Sequence, residues 1–347
     1  MKYVPLPRLR EGMALGQDIY DGLGDILLKK HCVLDVKCMH DLEEWGFPGV
    51  YIDDEFSKQI EIDHIVKPEL RNKTKKLLAN VYEEKFGTDD EEEQRIQKAV
   101  EEVVDAILSN DDLMYNLMNI RAHDKAIYDH SMNVCMLSIL LGARMDLAKE
   151  QLSEVATAAL LHDIGKKFIN ADILNTRQPL TEEQCEQLSK HTQLGYDHLK
   201  ERYHFSEQVC LAVLDHHENY DGTGYPNGKS GDEISRYAQI IRVADTFDAM
   251  TAGRPYRKAQ TPSAVTEYIM ANDGVRFAPE IVLTFTRWVS VYPSGCEVLL
   301  SDGRSAVVVK NYPNFTLRPM VKIIESGETV DLKQDATARN ITIVDMV

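Results

Sequence analysis

The chain has 347 residues, 44% of them hydrophobic and 27% charged, which leaves room for two or three folded units and excludes a disordered or fibrous polymer. Its 39 Lys and Arg stand against 56 Asp and Glu for a formal charge of −17. Such a balance excludes a general DNA or RNA binder and requires that any phosphate ligand be met by metals or by a few aimed cations.

In chain order, the start Met1-Lys2-Tyr3-Val4-Pro5 lacks the apolar core of a secretory signal. Short strands are predicted over Leu15 to Tyr20 and Ile26 to Leu34, around the turn signal Asp21-Gly22-Leu23-Gly24-Asp25, then a helix over Val36 to Trp45 and a strand at Val50 to Ile52. Residues 1–65 therefore read as a small α+β module. Residues 66–290 are helical in pattern, with apolar positions three and four apart, as in Ala99, Val100, Val103, Val104, Ile107 and Leu108. The acidic run Asp89 to Glu93 reads as a solvated helix start that complements the helix dipole. Past Tyr292 the texture alternates: Glu297 to Leu300 and Ala306 to Val309 flank Asp302-Gly303, followed by Met320 to Ile324 and Ile341 to Val344. Residues 291–347 read as a small β domain. The fold class is thus mainly α, a helical bundle flanked by an N-terminal α+β module and a C-terminal β domain.

The longest mostly apolar stretch, Val134 to Ala143, is half of the ~20 residues a bilayer span requires, so no membrane span is expected. Cys32, Cys38, Cys135, Cys185, Cys210 and Cys296 form no C-x-x-C pair, which suits reduced thiols and a cytoplasmic home.

The chemistry-bearing residues lie in the helical middle. His130 taken alone reads as a surface or capping histidine rather than a ligand. His162-Asp163 closes the apolar run Ala156 to Leu161 and leads into Ile164-Gly165-Lys166; a carboxylate against such a run needs a partner or a metal, or else caps the next element. His191 follows. His216-His217 ends the apolar run Val209 to Leu214 and enters Glu218-Asn219-Tyr220-Asp221-Gly222-Thr223-Gly224-Tyr225-Pro226, which is either a shaped loop or an ordinary turn. Asp245 lies in an apolar helix with Asp248 on the same face, to be explained by a metal or by pairing with Arg242. Arg254 and Arg257 offer two forked groups suited to phosphate oxygens. Together His130, His162, Asp163, His191, His216, His217 and Asp245 are too many ligands for one zinc. Two cations bridged by Asp163, activating a shared water as hydroxide for attack on a phosphoester, fit that inventory.

The ordered series His130, His162-Asp163-Ile164-Gly165-Lys166, His191-Thr192-x-x-Gly195, His216-His217-Glu218, Asp221-Gly222-Thr223-Gly224-Tyr225-Pro226, Asp245 with Asp248, and Arg254-Pro255-Tyr256-Arg257 resembles the HD-GYP family of bacterial cyclic di-GMP phosphodiesterases over residues 110–290. The resemblance implies an HD-type helical bundle and hydrolysis of cyclic di-GMP to pGpG or GMP. It implies two divalent transition metals, iron or manganese, on the seven residues above, with Asp163 bridging and catalytic. It further implies Lys166 on the scissile phosphate, Arg254 and Arg257 on the phosphodiester backbone, and Gly224, Tyr225 and Asp248 at the substrate. The loop around Gly224 and Tyr225 would meet a diguanylate cyclase partner in some members, and a homodimer is compatible. Some members hold a third metal through a Glu four residues before the first His. Here that position is Ala126, so a dinuclear site is expected, with His123 and Asp129 the nearest substitutes. Two other readings remain open: a phosphodiesterase for another cyclic dinucleotide such as cyclic GMP-AMP, and a cyclic-dinucleotide sensor with little turnover.

Overall fold

A computed structural model describes residues 1–62, 64–110, 114–116, 126–176, 178–252 and 259–347. In the N-terminal module, β1 (Lys2–Pro5), β2 (Ala14–Leu15), β3 (Ile19–Tyr20), β4 (Ile26–Leu28), α1 (Val36–Glu44) and β5 (Gly49–Asp53) surround a small core of Leu15, Ile19, Leu34, Leu42, Val50 and Ile52. β5 is the centre of a three-stranded antiparallel sheet, β1-β5-β2, while β3 and β4 form a separate hairpin.

The strands predicted over Leu15 to Tyr20 and Ile26 to Leu34 are shorter than expected, or broken. The chain leaves the first sheet at Gly16, where a Cβ would sit 2.9 Å from that of Met1, and joins the hairpin only at Ile19. After Leu28 it turns through His31, whose φ is +66°, a left-handed conformation that no strand contains.

The helical middle runs α2 (Pro68–Tyr82), α3 (Asp89–Leu108), α4 (Ala126–Ala143), α5 (Lys149–Leu161), α6 (Ala171–Leu174), α7 (Glu182–Ser189), α8 (His191–Arg202), α9 (Glu207–Asp215), α10 (Arg236–Thr251), α11 (Pro262–Ala271) and α12 (Pro279–Trp288). Apolar on nearly every side, α4 is the central rod. Against it pack α5 and α10, with α2, α3 and α12 completing the shell, while α9 lies beyond on α5 and α10, and α8 packs on α9 and on the turn after α5. The acidic start of α3 does more than face water. Thr88 caps it, but Glu92 is fully buried against the Tyr203 hydroxyl, and Glu93 accepts from the His204 amide, tying α3 to the end of α8.

The C-terminal strands β6 (Glu297–Leu300), β7 (Ser305–Lys310), β8 (Met320–Ile323), β9 (Thr329–Asp331) and β10 (Ile343–Met346) form an antiparallel sheet in the order β10-β6-β7-β8-β9. Gly303, at φ +87°, makes the β6–β7 turn. This sheet rests on the N-terminal module. The Tyr51 hydroxyl donates to Ser294 O, Tyr3 N donates to Gly295 O, and Lys322 Nζ donates to Phe56 O at 2.6 Å. Among the described residues no helix is long and apolar enough to cross a membrane.

Candidate metal centre

Five segments converge on one carboxylate. Asp163 follows α5 and opens a 3-10 turn, Ile164–Phe168, yet its side chain makes no capping hydrogen bond. It is 1% exposed and faces imidazoles from four directions. His162 Nε2 lies 3.4 Å and His130 Nε2 3.9 Å from Oδ2, while His191 Nε2 lies 3.4 Å and His216 Nε2 4.0 Å from Oδ1. Asp245, from α10, places Oδ1 3.1 Å from His130 Nε2. His217 joins through its rings' neighbours, 4.2 Å from His216 and 5.2 Å from His191 between centroids. Three ligand groups result, each with donor atoms within 4.8 Å of one another: His191, His216 and His217; His130, His162 and Asp245; and His162, Asp163 and His216.

The backbone sets the tautomers. His162, His191 and His216 each place Nδ1 at 2.7–2.8 Å from a carbonyl three residues earlier, those of Ala159, Leu188 and Val213. Donation from Nδ1 leaves Nε2 as a bare acceptor turned into the cage. His191 and His216 then oppose these nitrogens at 3.3 Å, with no proton to share between them. His162 Nε2 and Asp163 Oδ1 are buried without a hydrogen-bond partner. Buried acceptors facing one another are costly unless a cation sits among them, and a nitrogen and carboxylate donor set suits a first-row divalent metal.

The electrostatics follow burial and neighbours. Burial would raise the Asp163 carboxyl, but His162 and Lys166 hold it well below the usual carboxylate range. Asp245 is likewise held well below it, by His130. Burial pushes His191 down to about 4 and His216 and His217 well below the usual imidazole range, so these three are neutral. His130 goes the other way: burial lowers it, but Asp245 and Asp248 together raise it to about 9.

Close approach explains two glycines. A Cβ on Gly165 would lie 2.0 Å from His191 O and 2.6 Å from Gly195 N, so only glycine lets the 3-10 turn touch the start of α8. A Cβ on Gly224 would lie 2.2 Å from Asn219 N, so the loop after α9 folds back on itself. That loop is clamped by Glu218 Oε1, which accepts from Asn227 N at 2.7 Å, and by Lys229 on the buried Asp215 at 2.8 Å. Tyr225 stacks on His217, centroids 4.8 Å apart. Lys166 Nζ lies 2.6 Å from Asp163 Oδ2 and is partly exposed.

One position differs from its expected place. Asp248 is 1% exposed, behind His130 rather than facing the open side, with Oδ2 2.6 Å from His130 Nδ1 and Oδ1 accepting from Asn133 Nδ2 at 2.8 Å. Residues three apart on a helix are about 60° apart around its axis, so Asp245 and Asp248 straddle the His130 ring. Arg242 pairs with neither; it reaches His217 Nδ1 at 3.2 Å and Asn219 Oδ1 at 3.0 Å. Asp129 is occupied by Arg71 and Lys75, at 3.1 and 3.2 Å. Arg254, Arg257, His123 and the Ala126 side chain lie outside the described residues. Sequence reasoning missed Asn133, three residues after His130, and Arg71, whose Nη2 donates to Asn133 Oδ1 at 2.8 Å.

Comparison with known proteins bears on the same region of the chain. Residues 112–281 match the model of the HD domain. Cyclic di-GMP phosphodiesterase PA4108 of Pseudomonas aeruginosa is 33% identical over 66% of this chain and 55% of its own length. The 3'3'-cGAMP-specific phosphodiesterase 2 of Vibrio cholerae is 32% identical over 54% of this chain and 36% of its own. The chain thus spans about half or less of the length of these curated relatives. Among solved structures, Bd1817, an HDG"Y"P protein from Bdellovibrio bacteriovorus, superposes with a TM-score of 0.52 at 16% identity, covering 81% of this chain and 97% of that one. At that identity it speaks to the fold alone, a mainly α architecture with small β parts. Residues 112–281 of this chain belong to the HD domain family.

Proposed function

We propose that this chain is a metal-dependent phosphodiesterase of the HD-GYP type that opens cyclic di-GMP to pGpG or GMP. The observation that carries the reading is the convergence of His130, His162, His191, His216, His217 and Asp245 around Asp163, with His162 Nε2 and Asp163 Oδ1 buried and unsatisfied. Two divalent cations, iron or manganese, supply Lewis acidity and lower the pKa of the attacking water when bound. Asp163 orients both halves of the cage. Lys166, 2.6 Å from it and partly exposed, is placed to balance charge on the scissile phosphate as the P–O bond breaks. Tyr225, held against His217, shapes the mouth with Gly224, and Arg254 and Arg257 are assigned to the phosphodiester backbone. Asp248 acts through His130 and touches no substrate in this reading. The loop carrying Gly224 and Tyr225 is also the assigned surface for a diguanylate cyclase partner.

The test is anaerobic incubation of manganese- or iron-loaded protein with cyclic di-GMP, with products resolved by chromatography. Linear pGpG or GMP is expected, and an unchanged cyclic substrate defeats the proposal. The Vibrio relative favours one second reading, in which 3'3'-cGAMP is the better substrate; side-by-side turnover of the two dinucleotides separates them.

A further inference from the structure

Away from the cage, the N-terminal module and the helical body line a partly open cavity of about 310 Å³, room for roughly ten waters at about 30 Å³ each and within the range of small-molecule sites. One side is apolar, with Ile19, Phe47, Ile65, Val66 and Met136 among its lining. The polar lining carries both signs, Lys30, Arg71 and Lys75 alongside Asp18, Asp21, Glu69 and Asp129. Lys75 reaches the cavity although its side chain is only 3% exposed, and Arg71 lies one helical turn before it on α2. Both cations rest on the same oxygen, Asp129 Oδ1, at 3.2 and 3.1 Å. One carboxylate oxygen thus serves two positive groups, and the second contact of Lys75 is only a carbonyl, Asp21 O at 3.4 Å. Burial, with the neighbouring Arg71, lowers the Lys75 pKa against the opposing pull of Asp129 and Asp21.

The cavity is wired to the cage by direct hydrogen bonds. Arg71 Nη2 donates to Asn133 Oδ1 at 2.8 Å, Asn133 Nδ2 donates to Asp248 Oδ1 at 2.8 Å, and Asp248 Oδ2 meets His130 Nδ1 at 2.6 Å. Arg71 therefore belongs at once to the cavity wall and to the chain that orients His130. It lies outside the region that matches the HD domain, so this contact is made by the flanking part of the protein.

We propose that this interdomain cavity binds a small organic anion, a carboxylate or phosphate head against Lys75 and Arg71 with its apolar body against Ile19, Phe47 and Met136, and that occupancy is read at His130 through Arg71, Asn133 and Asp248. An anion draws Arg71 from Asn133 toward itself, and the loosened Asn133 alters how firmly Asp248 holds the His130 ring. Coupling of this kind is reciprocal: whatever the anion does to cation affinity, the cation does to anion affinity. The coupled half rests on the metal-site reading above, whereas the binding half does not.

Calorimetry on the full chain tests both halves, with 3-phenylpropionate and phenyl phosphate as probes and 3-phenylpropanol as the neutral control. At least one anion is expected to bind with millimolar or better affinity, the alcohol at least tenfold more weakly, and Lys75→Met to abolish the difference while circular dichroism stays unchanged. Which anion binds tells carboxylate from phosphate; equal affinity for the alcohol, or no binding of either anion, overturns the site. Mn2+ titrations with and without the bound anion are expected to differ at least threefold in affinity, and in Asn133→Ala the anion still binds while that difference disappears. An anion that binds without moving Mn2+ affinity overturns the coupling. Mn2+ that fails to bind at all defeats the metal-site reading and leaves the anion result standing. Should Lys75→Met fail to fold, Lys75→Arg, which keeps the charge, is expected to retain anion binding, and its loss there counts against the site.

Discussion

The two halves of the cage share an imidazole lining but follow opposite charge logic. His191, His216 and His217 sit in a half where burial keeps every imidazole neutral, with His191 at about 4 and backbone carbonyls behind His191 and His216. In the other half His130 is clamped between two carboxylates and raised to about 9, a cation in its own right near neutral pH. The first half is ready for a metal ion; in the second the metal must first displace a proton. Neutral ligands behind carbonyls and a protonated ligand behind an acid are two ways of making a buried site tolerable before metal arrives.

Asp163 is common to both halves, so its removal should erase the difference between them. Asp163→Ala is expected to lose both cations in metal analysis and to lower turnover by ~10^3-fold or more, on the scale of losing a group on which the whole site depends. Retention of one tightly held ion would show that the halves do not share it. Gly165→Ala strikes one half first: the new Cβ meets His191 O at 2.0 Å and pushes on the start of α8. About 1–3 kcal/mol of destabilisation is expected, as for overpacking, with the melting temperature lowered and cation affinity falling more in the three-histidine half.

Asp248→Asn is milder. It keeps the shape but removes the charge behind His130, and weakening a partner of this kind costs 10–100-fold in metal affinity. Only the second binding event in a calorimetric titration should weaken. If both events weaken equally, Asp248 does not act through His130.

Much of the cluster was legible because ionisable residues in apolar runs leave local marks. His162-Asp163 and His216-His217 end apolar helices where ionisable groups need a reason, and Asp245 lies inside one. His130 carries no such mark; only its contacts with Asp245 and Asp248, more than a hundred positions away, bring it into the cluster. The spacing of Asp245 and Asp248 placed them correctly on one helix face, but a shared face does not say which side of an intervening ring each will occupy. Arg71 and Lys75 were invisible for a related reason. Nothing local marks them on α2, because their shared partner, Asp129 on α4, lies more than fifty positions away. β9 was missed because Thr329 to Asp331 is too short to alternate, and its strand character comes from pairing with β8.

The finest distinction between the halves is in pH. In metal-free protein His130 has a folded pKa of about 9 against 6.5 unperturbed, so its pairing stabilises the fold fully below about pH 6.5, and that contribution fades as pH rises through 9. A divalent cation competes with the same proton. Below about pH 9 its affinity for the His130 half should rise about tenfold per pH unit, one proton being released per ion bound. In the three-histidine half the ligands are already neutral above about pH 4 to 5, so affinity there should be flat between pH 6.5 and 8.5. Titrations with Mn2+ at pH 6.5, 7.5 and 8.5, in buffers of different ionisation enthalpy, count the protons released at each step. One steep step and one flat step are expected; two parallel steps would mean that the acids around His130 do not hold its proton, and that the asymmetry of the cage is one of shape alone.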